Sequence, residues 1–274
     1  AVNRLRPEWT ALDDGVAADL AVLRDLAAGE IQITSRSDDD RTWIVAFIAD
    51  DGPIRYYRYD RDTQQATYLF ANRSDLDAFD LVPMHPVEIP TRDGLTMVSY
   101  LSLPAWADPD RTGRPQQPLP LVLDVHGGPW ARDEWGFNPE HQLFADRGYA
   151  VLSVNYRGST GFGKAFLNSG NKEWAAKMHD DLLDAVDWAV WNGVADRDRV
   201  AIHGGSYGGY AALVGVTFTP DVFACSVDIV GPSNLITLLE SIPPYWAPML
   251  QLFKDRVGDP TTDEGREFLT ERSP

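Results

Sequence analysis

Cysteine is almost absent: Cys225 stands alone among 274 residues, so no disulfide can form within the chain and its stability must come from packing. That usage suits a reducing compartment. Basic residues are in deficit, with 24 Lys and Arg against 41 Asp and Glu. The resulting formal net charge of −17 would repel a nucleic-acid backbone or an anionic membrane surface. No run of about eighteen apolar residues occurs and Ala1 opens no signal-peptide pattern, so neither a membrane span nor a leader is expected. A Walker loop, a dinucleotide fingerprint and paired Cys/His metal spacings are missing too, so no metal or organic cofactor is implied. What remains is ordinary globular composition, 44% hydrophobic and 24% charged, enough for one large domain or two small ones.

The apolar pattern changes twice along the chain. Trp9, Leu12, Val16, Leu20, Leu23 and Leu26 make a helical stripe ending at Gly29, which predicts a helix over residues 10 to 28. From Gly29 to Phe70 the period drops to two, giving four short strands at residues 31–34, 43–49, 54–59 and 66–70, separated by polar turns. Such a unit suits one blade of a propeller or one layer of a sandwich, and no second copy is found. If it is a blade, its siblings are expected upstream. Beyond the polar link at 72–83, residues 87–90 and 95–103 read as a strand pair. Leu119 to Val125, Ala150 to Asn155 and Val200 to His203 are nearly continuous apolar runs, as parallel strands covered on both faces require. Helical patterns at 139–147 and 174–191 lie between them, the second with Met178, Leu182, Ala185, Val186 and Ala189 as its apolar face and Asp180, Asp181, Asp184 and Asp187 mostly on its solvated side, so the sheet is expected to be parallel with right-handed crossovers.

Chemistry concentrates at Gly204-Gly205-Ser206-Tyr207-Gly208-Gly209. Here G-x-S-x-G falls between a short apolar strand and a helix start of small residues, the setting of a nucleophile elbow. Glycines are needed because side chains at Gly204 and Gly208 would collide with neighbouring backbone in so tight a turn. Ser206 is the candidate nucleophile, and the Tyr207 N–H, at the positive end of the next helix, a candidate oxyanion donor. A second apolar strand ends in His126-Gly127-Gly128-Pro129, a loop of the kind that supplies the other oxyanion N–H, with Gly128 the candidate donor. His126 precedes that loop, where an imidazole orders it by hydrogen bonding more often than it serves as base.

Together HGGPW (126–130), NYRGSTGFGKAF (155–166), DLLDAVDWAV (181–190), GGSYGGYAA (204–212) and VGPSNLITLLESIPPYW (230–246) resemble the prolyl oligopeptidase family of serine peptidases, most closely its dipeptidyl- and acylaminoacyl-peptidase-like bacterial branch. The resemblance runs from residue 84 to residue 274. It implies an α/β-hydrolase domain preceded by a β-propeller, with residues 29–70 similar to the closing blade, and hydrolysis of short peptides whose access the propeller limits by size. It also implies that the segment holding Tyr245 and Trp246 helps to wall the pocket for the residue before the scissile bond; core packing is the competing reading.

The triad departs from the pattern. α/β-Hydrolases order it Ser, then Asp or Glu, then His, whereas His85, His126, His141, His179 and His203 all precede Ser206. Only residues 224–230 read as a sheet strand after the elbow, where two more would carry acid and base. No acid after Ser206 is assigned. Three explanations stand open: a longer enzyme of which this is a part, a natural protein without peptidase activity, or a base from His126 or another chain. Among the remaining motifs, Arg157 is expected to order its loop, Asp38 to Asp40 to form a solvated turn, and Cys225 to be a small buried residue.

The expectation is therefore an α/β protein: a helix plus closing blade over residues 1–80, then an α/β-hydrolase peptidase domain over 81–274 with a mostly parallel sheet incomplete at its C-terminus. The expected reaction is peptide hydrolysis through an acyl-enzyme on Ser206, with short peptides as partners and the triad acid and base outside the chain. A catalytically silent module of the same fold and an α/β-hydrolase esterase are the alternatives.

Overall fold

The computed structural model describes residues 2, 3 and 5–274. They form two compact units, one comprising the chain up to Met84 with Glu134–Leu143, the other His85–Asp133 with Phe144–Pro274.

In the first unit β1 (Val2–Asn3) and β2 (Pro7–Glu8) make a short antiparallel pair. Helix α1 (Asp14–Leu26) starts where Asp13 Oδ1 accepts the backbone N–H groups of Gly15 and Val16 at 2.9 and 3.2 Å. That cap shortens the predicted helix. Leu12, counted into the apolar stripe, falls before it and is 98% exposed, while Leu20 and Leu23 are buried. Strands β3 (Glu30–Arg36), β4 (Thr42–Ile48), β5 (Arg55–Asp60) and β6 (Gln65–Ala71) follow the predicted four, as an antiparallel sheet in sequential order. Leu23, Ile31, Trp43, Val45, Phe47 and Tyr59 form its core. One buried carboxylate is satisfied there: Asp19 accepts from Tyr59 OH at 2.9 Å and from Arg61 Nε at 2.8 Å. Residues 134–143 join this unit because Trp135 Nε1 donates to the Met84 carbonyl and the Phe137 N–H to that of Ala49, each at 2.8 Å.

The second unit is built on β7 (His85–Pro90), β8 (Thr96–Ser102), β9 (Leu119–Val125), β10 (Ala150–Val154), β11 (Ala195–Gly205) and β12 (Cys225–Ile229), in the spatial order β12-β11-β9-β10-β8-β7. The first four in that order run parallel; β8 runs antiparallel to β10, and β7 antiparallel to β8. The intervening helices are α2 (Pro139–Asp146), which starts in the first unit, α3 (Lys164–Asn168), α4 (Lys177–Trp191) and α5 (Tyr207–Phe218). After β12 come α6 (Leu235–Glu240), α7 (Ala247–Arg256) and α8 (Asp263–Glu271). Leu121, Leu123, Val125, Leu152, Val154 and Ile202 lie at the centre of one large core, onto which α4 turns Met178, Leu182, Ala185, Val186 and Ala189.

Two expectations need correction. Cys225 is exposed rather than buried, because β12 is the margin of the sheet and its residues are covered only on the side of β11 and α5. Asp181, grouped with the solvated acids of α4, is fully buried, because its partner is the equally buried Arg157.

Candidate active site

The junction of β11 and α5 is as tight as its glycines imply. A Cβ on Gly204 would stand 2.5 Å from the Gly208 carbonyl carbon, and one on Gly208 would stand 1.9 Å from the Val125 carbonyl oxygen. No side chain can occupy either place, which is why the chain can turn from strand to helix within a single residue. That residue is Ser206, with φ of +56° and ψ of −115°, outside the regions an L-residue ordinarily populates. Its N–H is held by the Ile229 carbonyl at 2.8 Å and its carbonyl accepts from the Tyr210 N–H at 3.0 Å. Serine in this N-cap position commonly spends its hydroxyl on the first turn. Ser206 does not: it makes no side-chain capping bond and is exposed. The hydroxyl is thus presented at the end of β11, above the unpaired N–H groups and positive dipole end of α5.

The loop after β9 approaches the same point. A Cβ on Gly127 would lie 3.4 Å from Ser206 Cβ and 3.0 Å from the Gly205 carbonyl oxygen, so only glycine lets the loop come so close. Gly128 follows, exposed and with φ of +125°. The structure therefore brings Ser206, Tyr207 and the Gly127-Gly128 loop together.

His126 serves this loop from below. Its Nδ1 is 2.8 Å from the Gly127 carbonyl oxygen and its Nε2 2.9 Å from Ser159 Oγ, while Tyr156 OH donates to the His126 carbonyl at 2.8 Å. The imidazole stacks on the Tyr156 ring at 4.4 Å. Burial disfavours its charged form and pulls its pKa down to about 4. Both ring nitrogens are engaged, one within the loop and one by Ser159 after β10. Among the described residues no imidazole or carboxylate hydrogen bonds to Ser206 Oγ.

Tyr207 is buried under the elbow, its ring 4.7 Å from that of Trp174 and 5.2 Å from that of Tyr156, and burial pushes its phenol far above the ordinary range. Tyr245 and Trp246 stand apart from this cluster, in a short turn just before α7. They are 80% and 47% exposed and meet edge to face, so ordinary core packing does not account for them. Arg157 faces two carboxylates: Nε and Nη2 donate to Asp181 at 2.9 and 2.7 Å, and Nη1 and Nη2 to Asp93 at 2.8 Å. The pair with Arg157 lowers the Asp93 pKa. The guanidinium thus ties the loop after β10 to α4 and to the β7–β8 turn. The Asp38–Asp40 turn spends its carboxylates locally: Asp39 accepts from Ser37 Oγ at 2.6 Å, and Asp40 bonds Trp43 Nε1 at 2.8 Å as well as Arg61.

Some supporting residues were not foreseen. Ser159 and Tyr156, which hold His126, lie in the NYRGS stretch directly after a strand end, a position that could have marked them. Asp124 and His203 are direct cross-strand partners on β9 and β11, joined Oδ1 to Nδ1 at 2.8 Å. Their shared register, three residues before Gly127 and Ser206 respectively, was the only signal.

Comparison with known proteins agrees with this geometry. Residues 135–251 match the prolyl oligopeptidase family. Dipeptidyl aminopeptidase BIII of Pseudoxanthomonas mexicana is 58% identical across all of this chain, and dipeptidyl peptidase family member 6 of Caenorhabditis elegans is 44% identical across 98% of it. The chain spans 40% and 38% of the lengths of these two relatives. A puromycin-hydrolyzing peptidase of Mycobacterium tuberculosis superposes with a TM-score of 0.70 at 28% identity, over 85% of this chain and 35% of that one. The mixed sheet with its strand-to-helix elbow has the α/β-hydrolase fold of such peptidases. By fold, by elbow and by sequence along its whole length, the chain belongs to the prolyl oligopeptidase family.

Proposed function

We propose that this chain carries the nucleophile and oxyanion half of a serine peptidase site, which cleaves short peptides through an acyl-enzyme on Ser206. The observation that carries the reading is an exposed serine hydroxyl, free of any capping bond, in a strained backbone, beside a glycine loop so near that a Cβ added at Gly127 would lie 3.4 Å from the Ser206 Cβ. In the reaction Ser206 Oγ attacks the scissile carbonyl, and the N–H groups of Tyr207 and Gly128 take the oxyanion. One such donor is worth about 3 kcal/mol of barrier. The attack also needs an acid and a base in the manner of a Ser-His-Asp triad. Histidine does not follow Ser206 in this sequence, and the earlier His126 is occupied on both nitrogens, so the reading assigns acid and base to residues outside 1–274. Tyr245 and Trp246, exposed just before α7, are proposed to meet the substrate side chain.

Residues 1–80 are proposed to be a helix and the closing blade of a β-propeller, ahead of a hydrolase domain over 81–274. Support comes from the sequential four-stranded sheet and from its outer strand β6, which exposes Tyr68, Leu69 and Phe70. A catalytically silent module of the same fold is the second reading, favoured by the lack of any imidazole bonded to Ser206 Oγ among the described residues.

A hydrolysis assay separates the two. The full-length protein should release the chromophore from dipeptidyl anilides, and Ser206→Ala should lower kcat by at least about 10³-fold. Parent and variant giving the same rate would reject Ser206 as nucleophile.

A further inference from the structure

The oxyanion loop has a second attachment, on the side away from His126. A Cβ on Gly128 would stand 2.7 Å from the Trp130 N, so the loop folds back until the Trp130 backbone lies against Gly128. One flank is held by polar bonds, from the Thr160 N–H to the Ala131 carbonyl and from the Asp133 N–H to Asn155 Oδ1, each at 2.8 Å. The other is held by the Trp130 ring. It meets Phe253 of α7 edge to face, with centroids 5.2 Å apart, and the Arg256 guanidinium lies 5.4 Å from its centre. Phe253 and Val257 bury this side of α7 in the core, and the Lys172 N–H donates to the Arg256 carbonyl at 2.6 Å. One turn before Phe253, the start of α7 and the short turn ahead of it leave Met249, Tyr245 and Trp246 exposed. Trp130 thus joins the loop proposed to polarise the substrate carbonyl to the helix proposed to meet its side chain.

We propose that Trp130 is a positioning residue for acyl transfer: its ring seats α7, so that an apolar substrate side chain held at the Tyr245–Met249 segment and the Gly128 N–H are brought into register together. The inference rests on the peptidase reading above. It gives Trp130 no contact with the reacting atoms. Its effect is expected in kcat for substrates with an apolar acyl side chain, because displacing an oxyanion donor by about 1 Å can cost a hundredfold in rate.

The test uses the full-length protein with Trp130→Phe, Trp130→Ala, Phe253→Ala and the double variant Trp130→Ala/Phe253→Ala. Two dipeptidyl anilides differing only in the acyl-side residue, leucine or glycine, report kcat and KM, and a short-chain fluorophosphonate reports the intrinsic reactivity of Ser206. Trp130→Ala should lower kcat for the leucine substrate between tenfold and a hundredfold, change KM less than fivefold, and slow the glycine substrate less. Trp130→Phe should recover most of the loss. Phe253→Ala should reproduce it, and the double variant should be no slower than either single one, since all break the same seat. Phe253→Leu, which keeps the core filled but removes the ring, decides the matter if the alanine variants do not fold: kcat lowered more for leucine than for glycine supports the seat. Constants equal to the parent's in the alanine and Phe253→Leu variants, or losses that multiply in the double variant, overturn the proposal. A parent that neither cleaves peptide nor takes the probe overturns the peptidase reading, and the proposal with it.

Discussion

Strands β9 and β12 both pair in parallel with β11, yet they are built to opposite standards. β9 is buried almost throughout, and its last carbonyl, that of Val125, occupies the place where a Gly208 side chain would be. β12 exposes four of its five residues, among them Cys225, Val227 and Ile229. On the β9 side the elbow is clamped by close backbone contact, by the Asp124–His203 bond and by the His126 loop. On the β12 side the Ser206 N–H bonds to the Ile229 carbonyl and Gly209 lies against the Gly231 backbone, but the strand itself is exposed and Gly205 has open space beside Ile229. The tolerance for substitution should therefore change abruptly across one strand. On the proposed reading, in which Ser206 faces two amides at fixed distance, rigidity on the amide side serves the reaction.

The largest expected effect lies at the charge buried on the tight side. Arg157→Ala leaves Asp181 buried without its cation and should destabilise the protein by about 3 to 5 kcal/mol in denaturant unfolding. A loss below about 1 kcal/mol would show that the loop after β10 does not depend on this pair.

Gly208→Ala comes next. With a backbone oxygen at 1.9 Å, the added methyl should cost about 3 kcal/mol or more. Its control is Gly205→Ala, where the nearest atom, the Ile229 carbonyl oxygen, is 3.9 Å away on the β12 side. That change, like Val227→Thr on the exposed strand, should stay within about 0.5 kcal/mol. Equal losses for the two glycine variants would erase the asymmetry.

A smaller, pH-dependent effect belongs to His179, buried against α5. Its Nε2 lies 2.9 Å from Thr219 Oγ1, its Nδ1 has no hydrogen-bond partner, and burial lowers its pKa to about 4. The unfolded chain takes up this proton near pH 6.5, before the folded one does. Stability is therefore complete above about pH 6.5, declines as the pH falls toward 4 and levels off below. The whole change amounts to about 3 kcal/mol at most. His179→Gln should flatten the stability profile between those limits; an unchanged slope would contradict the assignment.

The same contrast explains what the sequence made legible. Strands β3 to β6 and β7 to β11 were readable because period-two and continuous apolar runs report burial directly, and the elbow because only its glycines suit its geometry. Helix α1 began later than its stripe, since Asp13 rather than Leu12 decides where the first N–H groups are satisfied. Cys225 was misjudged because an apolar strand sequence does not say whether anything covers it; burial at a sheet margin depends on its neighbours. Asp181 was hidden among acids spaced for a solvated helix face, and only the loop after β10 supplies its partner. Trp130 was legible only as the last residue of the HGGPW motif; its packing could not be read, because its partner Phe253 lies 123 positions along the chain.

One measurement tests the central claim most directly. The full-length protein is treated with a fluorophosphonate, digested and mapped by mass spectrometry, with Ser206→Ala alongside. The account predicts one phosphonylated serine, Ser206, in the parent and none at that position in the variant. Labelling that spares Ser206 while a known serine hydrolase in the same tube reacts fully would contradict it.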